Sequence, residues 1–337
     1  MRQSTAPPAT QQELDGWFEE IARLSAANLE RRDPRIERRI LELRHRSGVA
    51  LGAASNGAAA YPEPAFDALP AGDLPEVTRD ALTPELLRAA VLGRGALLVR
   101  GLLEPAEAER LAGEIEQAFQ AHEAHGEGRP GAEGYYEEFN PESGFQLGSR
   151  AWVNTASGLW ATDSPRVMFS MLEAMDRAGL QHLATGYLGE RPVISVEKCT
   201  LRRVNPDFIP GNNYSAWHQD GAFLGDVRAL NVWLTLSRCG DVAPGLDIVP
   251  RRLDHIAETG TEGTAFHWSV SQQVAEQCAG DAGIKRPIFQ PGDVMLFDEL
   301  FLHSTAADPG MTQTRYAIET WFFGPSAFPA EYTPLAF

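Results

Sequence analysis

Two histidines, one aspartate and one arginine in the second half of the chain have residue types and spacing that could hold a metal ion and its cosubstrate. His218 and Asp220 are separated by one residue, and His303 and Arg315 follow later. Two imidazoles and one carboxylate can occupy one face of an octahedral Fe(II) ion and leave positions open for a cosubstrate and O2. An arginine near the second histidine can bind a dicarboxylate through two parallel hydrogen bonds.

The predicted elements around these residues would bring them together. His218 and Asp220 lie where a strand gives way to a polar loop, and His303 follows the turn Pro291-Gly-Asp293 and an apolar run. Arg315 begins the next predicted strand. Because a jelly roll gathers such strand ends at one mouth of its barrel, we expect the four side chains to meet there.

The second half of the chain has the pattern of a β-rich fold. Short segments with strand character are separated by turn residues, which predicts a sandwich or jelly roll. We predict a fold that is mainly β with flanking helices (α+β), around a sandwich or jelly-roll core. The predicted strands are residues 193–201, 229–236, 246–250, 263–270, 294–297 and 314–323.

The first half has helical periodicity. Residues 12–45 predict two helices, the second beginning at Asp33-Pro34, because aspartate caps a helix and proline fits its first turn. We expect an N-terminal helical extension and linker over residues 1–80 and the barrel domain, with helical support, over 81–337. One further helix is predicted from Pro165 to about Leu188.

Residues 126–150 interrupt this pattern with glycines, prolines and aromatic residues that include Tyr135. A loop of this length in a compact domain is usually functional or disordered. We predict a lid that substrate orders, with an ordinary surface loop as the alternative.

Composition narrows the class of protein. The formal net charge of −17 disfavours nucleic-acid binding, because such a surface repels phosphate backbones. No apolar run has the length of a membrane span, and the N-terminus lacks the apolar core of a signal peptide. We therefore expect a cytoplasmic protein that acts on a small molecule without membrane or nucleic-acid partners, and a homodimer is left open. The three cysteines, widely spaced, predict buried thiols rather than disulfides or a zinc site.

Several motifs together resemble the phytanoyl-CoA dioxygenase family, over about residues 80–325. That family consists of Fe(II)- and 2-oxoglutarate-dependent oxygenases on a double-stranded β-helix, so the resemblance implies that the core is a double-stranded β-helix (jelly-roll, cupin-like). The segments that carry the resemblance are Trp217-His-Gln-Asp220, Arg228-Ala-Leu-Asn-Val-Trp233, Pro291-Gly-Asp-Val-Met-Leu-Phe297 with His303, Arg315, and Gly95 to Pro105 near the start of the domain.

The resemblance implies a role for each matching residue. His218, Asp220 and His303 would be the iron ligands. Arg315, helped by Thr305, would bind the distal carboxylate of 2-oxoglutarate.

The same resemblance has three further implications. Asn231 matches a polar cosubstrate contact. The carboxylate of Asp220 argues against halogenation, because halogenating relatives have a small residue there. The stretch Ala243 to Arg252 departs from the family pattern, which leaves substrate contacts in that loop open.

Strand alternation gives one more inference. Residues of a strand alternate faces, so Glu319 shares the side of Arg315. A carboxylate inside a barrel needs a partner. We expect an internal pair with Lys198, Arg202 or Arg203, and a contact to a cationic substrate group is the alternative.

The leading hypothesis is an Fe(II)/2-oxoglutarate-dependent dioxygenase that uses O2 to hydroxylate, desaturate or cyclise a small metabolite, with release of succinate and CO2. An amino acid or natural-product intermediate is the expected substrate, and Trp217, Trp233, Glu319 and Tyr135 are candidate substrate contacts. The alternatives are a non-catalytic jelly-roll binding protein and a cupin-type metal-dependent isomerase or hydrolase. Arg315 and Thr305 discriminate, because neither alternative needs a dicarboxylate clamp.

Overall fold

The computed structural model describes residues 9–55, 57–207 and 216–337. These residues pack as two compact units. The first contains residues up to 60, 113–201 and 320–337, and the second contains 61–112 and 202–319. This division by packing does not follow the sequence-based boundary after residue 80, because the chain passes between the units several times. Within the described ranges, no helix combines the length and apolar character needed to cross a membrane.

Helices dominate the first part of the chain. They are α1 (Gln11–Glu30), α2 (Pro34–Ala54), α3 (Pro84–Arg94), α4 (Pro105–Gly126), α5 (Arg150–Thr155), α6 (Pro165–Arg177), α7 (Leu180–Leu188), α8 (Gly221–Leu224) and α9 (Gln272–Ala279).

The strands form one large and one small sheet. They are β1 (Glu76–Thr78), β2 (Ala96–Arg100), β3 (Gly158–Trp160), β4 (Val193–Val204), β5 (Ala229–Thr235), β6 (Gly245–Ile248), β7 (Val294–Phe297), β8 (His303–Ala306), β9 (Arg315–Phe323) and β10 (Pro334–Ala336). The large sheet has the order β1-β2-β7-β5-β9-β4-β10, with β3 beside β4, and the small sheet pairs β6 with β8.

Successive strands from β5 to β9 alternate between the two sheets: β5, β7 and β9 belong to the large sheet, and β6 and β8 to the small one. This alternation is the connectivity of a double-stranded β-helix. The predicted fold class, mainly β with flanking helices, is confirmed.

Local signals explain both a confirmed helix start and a wrong helix length. The Asp33 side chain accepts a hydrogen bond from the Arg35 N–H, and Pro34 occupies the first turn of α2, as predicted. The single helix predicted over 165–188 is instead α6 and α7. The break falls at Gly179, whose φ of 85° lies in the left-handed region that glycine tolerates.

The loop predicted as a lid is tied to other residues of the first unit. The Glu137 N–H donates to the Asp163 carbonyl at 2.8 Å, and the Phe139 N–H donates to the Asp163 carboxylate at 2.8 Å. Arg46 forms an ion pair with Glu142 at 2.7 Å. A movement of this loop would have to break these contacts, and its role as a lid stays a prediction.

His45 on α2 is the most specific of these anchors. Its Nδ1–H donates to the Pro334 carbonyl at 2.9 Å, and its Nε2 accepts the Glu142 N–H at 3.2 Å. The rings of Phe139 and Phe145 contact the imidazole edge-on at 5.8 and 5.1 Å. Only a neutral imidazole can make both hydrogen bonds, because a protonated ring has no acceptor.

We expect the loop to loosen in mild acid. Burial lowers the pKa of His45 below its ordinary value, and the opposing effects of the Pro334 hydrogen bond and Glu142 are smaller. Since the folded pKa is depressed, the stabilisation is fully present above the unfolded value of about 6.5 and is lost as pH falls below it. Hydrogen exchange of residues 139–145, corrected for intrinsic rates, should lose protection between about pH 7.5 and about pH 5.5.

Two variants make this test specific. His45→Gln keeps a donor and an acceptor without titrating in this range, so its protection should not change with pH. His182→Asn, at an exposed histidine of the same unit, should behave as the wild type. Equal protection of the wild-type loop at both pH values would contradict the anchor.

Candidate metal centre

The backbone joins the two histidines directly. The His218 N–H donates to the His303 carbonyl at 2.9 Å, and the His303 N–H donates to the His218 carbonyl at 3.1 Å. This antiparallel bridge places the two rings side by side, with centroids 4.4 Å apart. Two histidines 85 positions apart in sequence therefore become neighbours through the pairing of backbone.

Hydrogen bonds also fix the tautomer of each imidazole. Nδ1 of His218 lies 2.9 Å from the Ala216 carbonyl, and Nδ1 of His303 lies 3.0 Å from the Phe301 carbonyl. A carbonyl accepts only, so each Nδ1 carries the proton and each Nε2 presents a lone pair. This is the second-shell arrangement that metal-binding histidines use.

Asp220 completes the group. The possible ligand atoms of His218, Asp220 and His303 all lie within 4.8 Å of one another. One carboxylate oxygen of Asp220 is 3.8 Å from Nε2 of His218, and the other is buried without a hydrogen-bond partner in the described part of the chain. A buried carboxylate oxygen without a donor is costly unless a cation occupies the space beside it. The three residues therefore fit a divalent metal, and their two imidazoles and one carboxylate suit Fe(II).

Residues beside Asp220 hold it in place. The Gly221 N–H donates to the Glu299 carbonyl at 2.8 Å. A Cβ on Gly221 would come within 2.9 Å of Ile256 and 3.1 Å of the Glu299 carbonyl oxygen. Glycine at this position therefore lets the segment that carries Asp220 approach the segment leading to His303.

Gln219, between the two ligands, has a positioning role that the sequence did not reveal. It is fully buried. Its Nε2 donates to the carbonyls of His255 at 3.0 Å and Leu300 at 2.8 Å, and its Oε1 accepts the Ala257 N–H at 2.7 Å. In extended chain the middle residue faces away from its neighbours, and this alternation is the signal that could have pointed to a separate role for Gln219.

His303 is enclosed more completely than His218. Its ring lies 4.9 Å from Phe297 and 5.9 Å from Phe301, and both phenylalanines are buried. Burial lowers the pKa of His303, and the neighbouring His218 lowers it further. The neutral imidazole that a metal requires is thereby favoured.

Arg315 is a buried guanidinium that has no acidic partner among the described residues. It is 3% exposed, and its Nη1 donates to the carbonyls of Pro244 at 3.2 Å and Gly245 at 3.0 Å. Its Nε has no partner, and no carboxylate of the described residues forms an ion pair with it. Burial lowers the pKa of Arg315 to about 10, so the group is still cationic at neutral pH. Pro244 and Gly245 belong to the stretch that departs from the family pattern.

A continuous row of side chains connects this arginine with the histidine pair. Asn231 lies opposite Phe297 in the β5–β7 register, and directly opposed residues project from the same sheet face. Phe297 contacts His303. Trp233, two residues along β5 from Asn231, has its ring 5.3 Å from the guanidinium carbon of Arg315. Asn231 therefore lies on the interior face between the two groups.

Asn231 has unused hydrogen-bonding capacity. It is fully buried, and both its amide nitrogen and its amide oxygen lack partners among the described residues. Thr305 shares the strand face of His303 because it lies two residues further along β8. Both positions agree with a polar ligand in the interior, and their role toward a cosubstrate is taken up below.

Glu319 forms the internal pair that strand alternation predicted. Its Oε2 accepts from Arg202 Nε at 3.1 Å and Nη2 at 2.8 Å. Burial raises the pKa of Glu319, but Arg202 and the two histidines outweigh this effect and lower it to about 2. Arg202, among the three basic residues considered, is the partner, and a direct substrate role for Glu319 is not needed to explain it.

The other proposed substrate contacts lie elsewhere in the packing. Trp217 is a core residue that packs with Val249 and Val270, and its Nε1 donates to Gln272 at 2.8 Å. Trp233 is buried between Arg315 and the ring of Phe289. We therefore interpret Trp217 and Trp233 as supporting residues. Tyr135 belongs to the first unit, where its ring is 5.6 Å from the guanidinium carbon of Arg166, and its substrate role stays a prediction.

Comparison with known proteins gives structural matches alone. No protein-family model matches the chain, and no curated protein matches. The resemblance to the phytanoyl-CoA dioxygenase family is therefore not supported by a family match.

Several solved structures with similarity to this chain contain 2-oxoglutarate or are described as alpha ketoglutarate dependent. EctD from S. alaskensis, with 2-oxoglutarate and 5-hydroxyectoine, is 17% identical, with a TM-score of 0.48 over 82% of this chain and 89% of that chain. SnoK, a non-heme alpha ketoglutarate dependent carbocyclase from nogalamycin biosynthesis, is 14% identical, with a TM-score of 0.46 over 74% and 86%. The epimerase SnoN, in complex with Fe3+, alpha ketoglutarate and nogalamycin RO, is 16% identical, with a TM-score of 0.41 over 71% and 82%. With identities and scores this low, we base the function of this chain on the geometry of its own site.

Proposed function

We propose that this chain is an Fe(II)- and 2-oxoglutarate-dependent dioxygenase acting on an unactivated C–H bond of a small metabolite. Hydroxylation is the expected outcome, and desaturation or ring closure would begin with the same hydrogen abstraction. Succinate and CO2 would be the coproducts. An amino acid or a natural-product intermediate is the expected substrate class, and the motif set supports a place in a phytanoyl-CoA dioxygenase-like family.

The observation that carries the proposal is Arg315, a buried guanidinium with no acidic partner among the described residues, on the same interior as the His218–Asp220–His303 group. A metal site alone would fit several cupin-type reactions. A buried guanidinium is stable only with a partner that offsets its desolvation, and the described residues supply two carbonyls and no carboxylate. A dicarboxylate cosubstrate supplies the missing charge and accepts two parallel hydrogen bonds.

Each residue has a separate task in this proposal. His218 and His303 would hold the metal through Nε2, and Asp220 would hold it through a carboxylate oxygen. Arg315 would bind the distal carboxylate of 2-oxoglutarate, helped by Thr305.

Other groups complete the environment. Asn231 offers its unused amide to the polar groups of the cosubstrate, and buried rings such as Phe297 exclude water from one side. When bound, Fe(II) with 2-oxoglutarate and O2 supplies the oxidising power that no amino-acid side chain has.

The test begins without oxygen. Anaerobic protein should bind Fe(II), and the loaded protein should then bind 2-oxoglutarate in isothermal titration and change its visible absorption. With O2 admitted, succinate release against a panel of metabolites would identify the substrate. Fe(II) binding without 2-oxoglutarate binding would replace the proposal with a metal-dependent isomerase or hydrolase, and binding of neither would indicate a non-catalytic ligand-binding protein.

A further inference from the structure

Three aromatic rings form a wall beside the metal-side histidine His218. The Trp268 ring is edge-on to His218, with centroids 5.6 Å apart, and Phe223 lies 6.3 Å from the same imidazole. Phe223 packs edge-on to Trp268 at 5.4 Å, and Phe266 stacks on Trp268 at 4.6 Å with an interplanar angle of 13°. We call Phe223, Phe266 and Trp268 the aromatic wall.

Backbone hydrogen bonds fix this wall relative to the metal ligands. Phe223 lies on α8, which directly follows Asp220, and its N–H donates to the Asp220 carbonyl at 3.1 Å. Trp268 is two residues before Val270, whose N–H donates to the Trp217 carbonyl at 2.7 Å. Both segments are thus tied to residues next to, or at, the proposed ligands.

The two sides of the histidine pair differ in exposure. On the His303 side, Phe297 and Phe301 are each 1% exposed, so those rings only fill the core. The three rings of the aromatic wall are partly exposed. Partly exposed aromatic surface next to a reaction centre offers contact area to a ligand at low entropic cost, because the rings are already held in place.

The summed charge of the metal, the cosubstrate and the nearby buried residues indicates what kind of substrate group suits the aromatic wall. In the loaded site, two positive charges from Fe(II) and one each from Arg202 and Arg315 would balance two from 2-oxoglutarate and one each from Asp220 and Glu319. These six groups together carry no net charge that a substrate group would have to neutralise.

We propose that the substrate carries an uncharged aromatic or planar unsaturated ring that packs on Trp268 and Phe223 while another part of it faces the metal. Trp268 is then a specificity-determining residue. This inference rests on the proposed function for its charge balance. The aromatic wall itself is present without metal, so the inference and the proposed function can be tested separately.

The test uses 2-naphthol as a neutral aromatic probe, with decahydro-2-naphthol and choline as saturated and cationic comparisons. Isothermal titration is carried out on the full chain, with and without Fe(II) and 2-oxoglutarate, in the absence of oxygen. 2-Naphthol should bind more tightly than either comparison. Trp268→Ala should weaken its binding about tenfold, the equivalent of about 1.4 kcal/mol, and Trp268→Phe should retain most of it.

Matched variants control for folding and for nonspecific stacking. Trp152→Ala removes a tryptophan of the first unit that is 55% exposed, and it should not affect binding. Phe223→Leu should also weaken 2-naphthol binding, and it provides the test should Trp268→Ala fail to fold. Unchanged affinity in the Trp268 and Phe223 variants, or tighter binding of choline than of 2-naphthol, would overturn the inference. If the Fe(II)-loaded wild-type protein bound 2-naphthol but not 2-oxoglutarate, the proposed function would be overturned. The inference about the aromatic wall would still stand.

Discussion

Replacing Arg315 with alanine is expected to raise the dissociation constant of 2-oxoglutarate by roughly 30-fold to several-thousand-fold, while Fe(II) still binds. Truncating one partner of a desolvated charge pair costs about 2–5 kcal/mol, and each tenfold in affinity is about 1.4 kcal/mol. The guanidinium is held by the carbonyls of Pro244 and Gly245 and by the Trp233 ring. Its position is therefore set before the cosubstrate binds, which favours the upper part of this range. Isothermal titration of the anaerobic Fe(II) proteins measures the change.

Two further variants separate a clamp from a structural role. Arg315→Lys keeps the charge but not the two parallel hydrogen bonds, so it should recover only part of the affinity. Tyr316→Phe alters the next residue on the opposite strand face and should leave 2-oxoglutarate affinity unchanged. Tight binding in Arg315→Ala would assign the clamp to another cation, or would mean that this barrel uses no 2-oxoglutarate. Among the described residues, Arg202 is already paired with Glu319, which makes it a weaker substitute.

The proposed ligands were predictable because their signals are local. His218 and Asp220 lie in one short motif, and the Pro291-Gly-Asp293 turn predicts the start of the strand that precedes His303. Gly292 explains why that turn can be predicted from the sequence. Its φ is 91°, and a Cβ there would come within 2.1 Å of the Leu103 carbonyl oxygen. Such a position requires glycine whatever surrounds it.

The surroundings of those ligands depend on contacts that are distant in sequence. Trp217 and Trp233 are among the candidate substrate contacts of the sequence analysis, and that role stays a prediction. Trp217 belongs to a cluster with residues near 250 and 270, and Trp233 packs under Arg315. Alternation along a strand assigns a residue to a face, but it does not say which other element covers that face.

The aromatic wall shows the same limit. Residues 263–270 were predicted as a strand, and that prediction is wrong: they form turns and bends, with isolated bridges from Val270 to Trp217 and to Thr259. The bridge to Trp217 brings the segment that carries Trp268 beside the segment that carries His218. No periodicity within residues 263–270 carries that information, because the alignment is set by a partner some fifty residues earlier.

Replacing His303 with alanine is expected to weaken Fe(II) binding by more than about 100-fold and to abolish 2-oxoglutarate-dependent oxidation. Losing groups that only orient a metal ligand typically costs about 10–100-fold in affinity, and removing the ligand itself should cost more. The fold should survive, because the bridge between His303 and His218 is made by backbone atoms that alanine retains. Anaerobic Fe(II) titration, together with the thermal unfolding midpoint of the metal-free protein, measures both effects.

The control for this prediction is His255→Ala in the same unit. The His255 side chain is 69% exposed, and its link to the site is through its backbone carbonyl, which accepts from Gln219 and is unaffected by the substitution. His255→Ala should therefore bind Fe(II) as the wild type does. Asp220→Asn keeps the size of the third ligand and removes its charge, so it should lose affinity without a change in packing. If His303→Ala bound Fe(II) with wild-type affinity, the pair of imidazoles joined by the backbone bridge would be a structural contact, and the metal would have to be held by other residues.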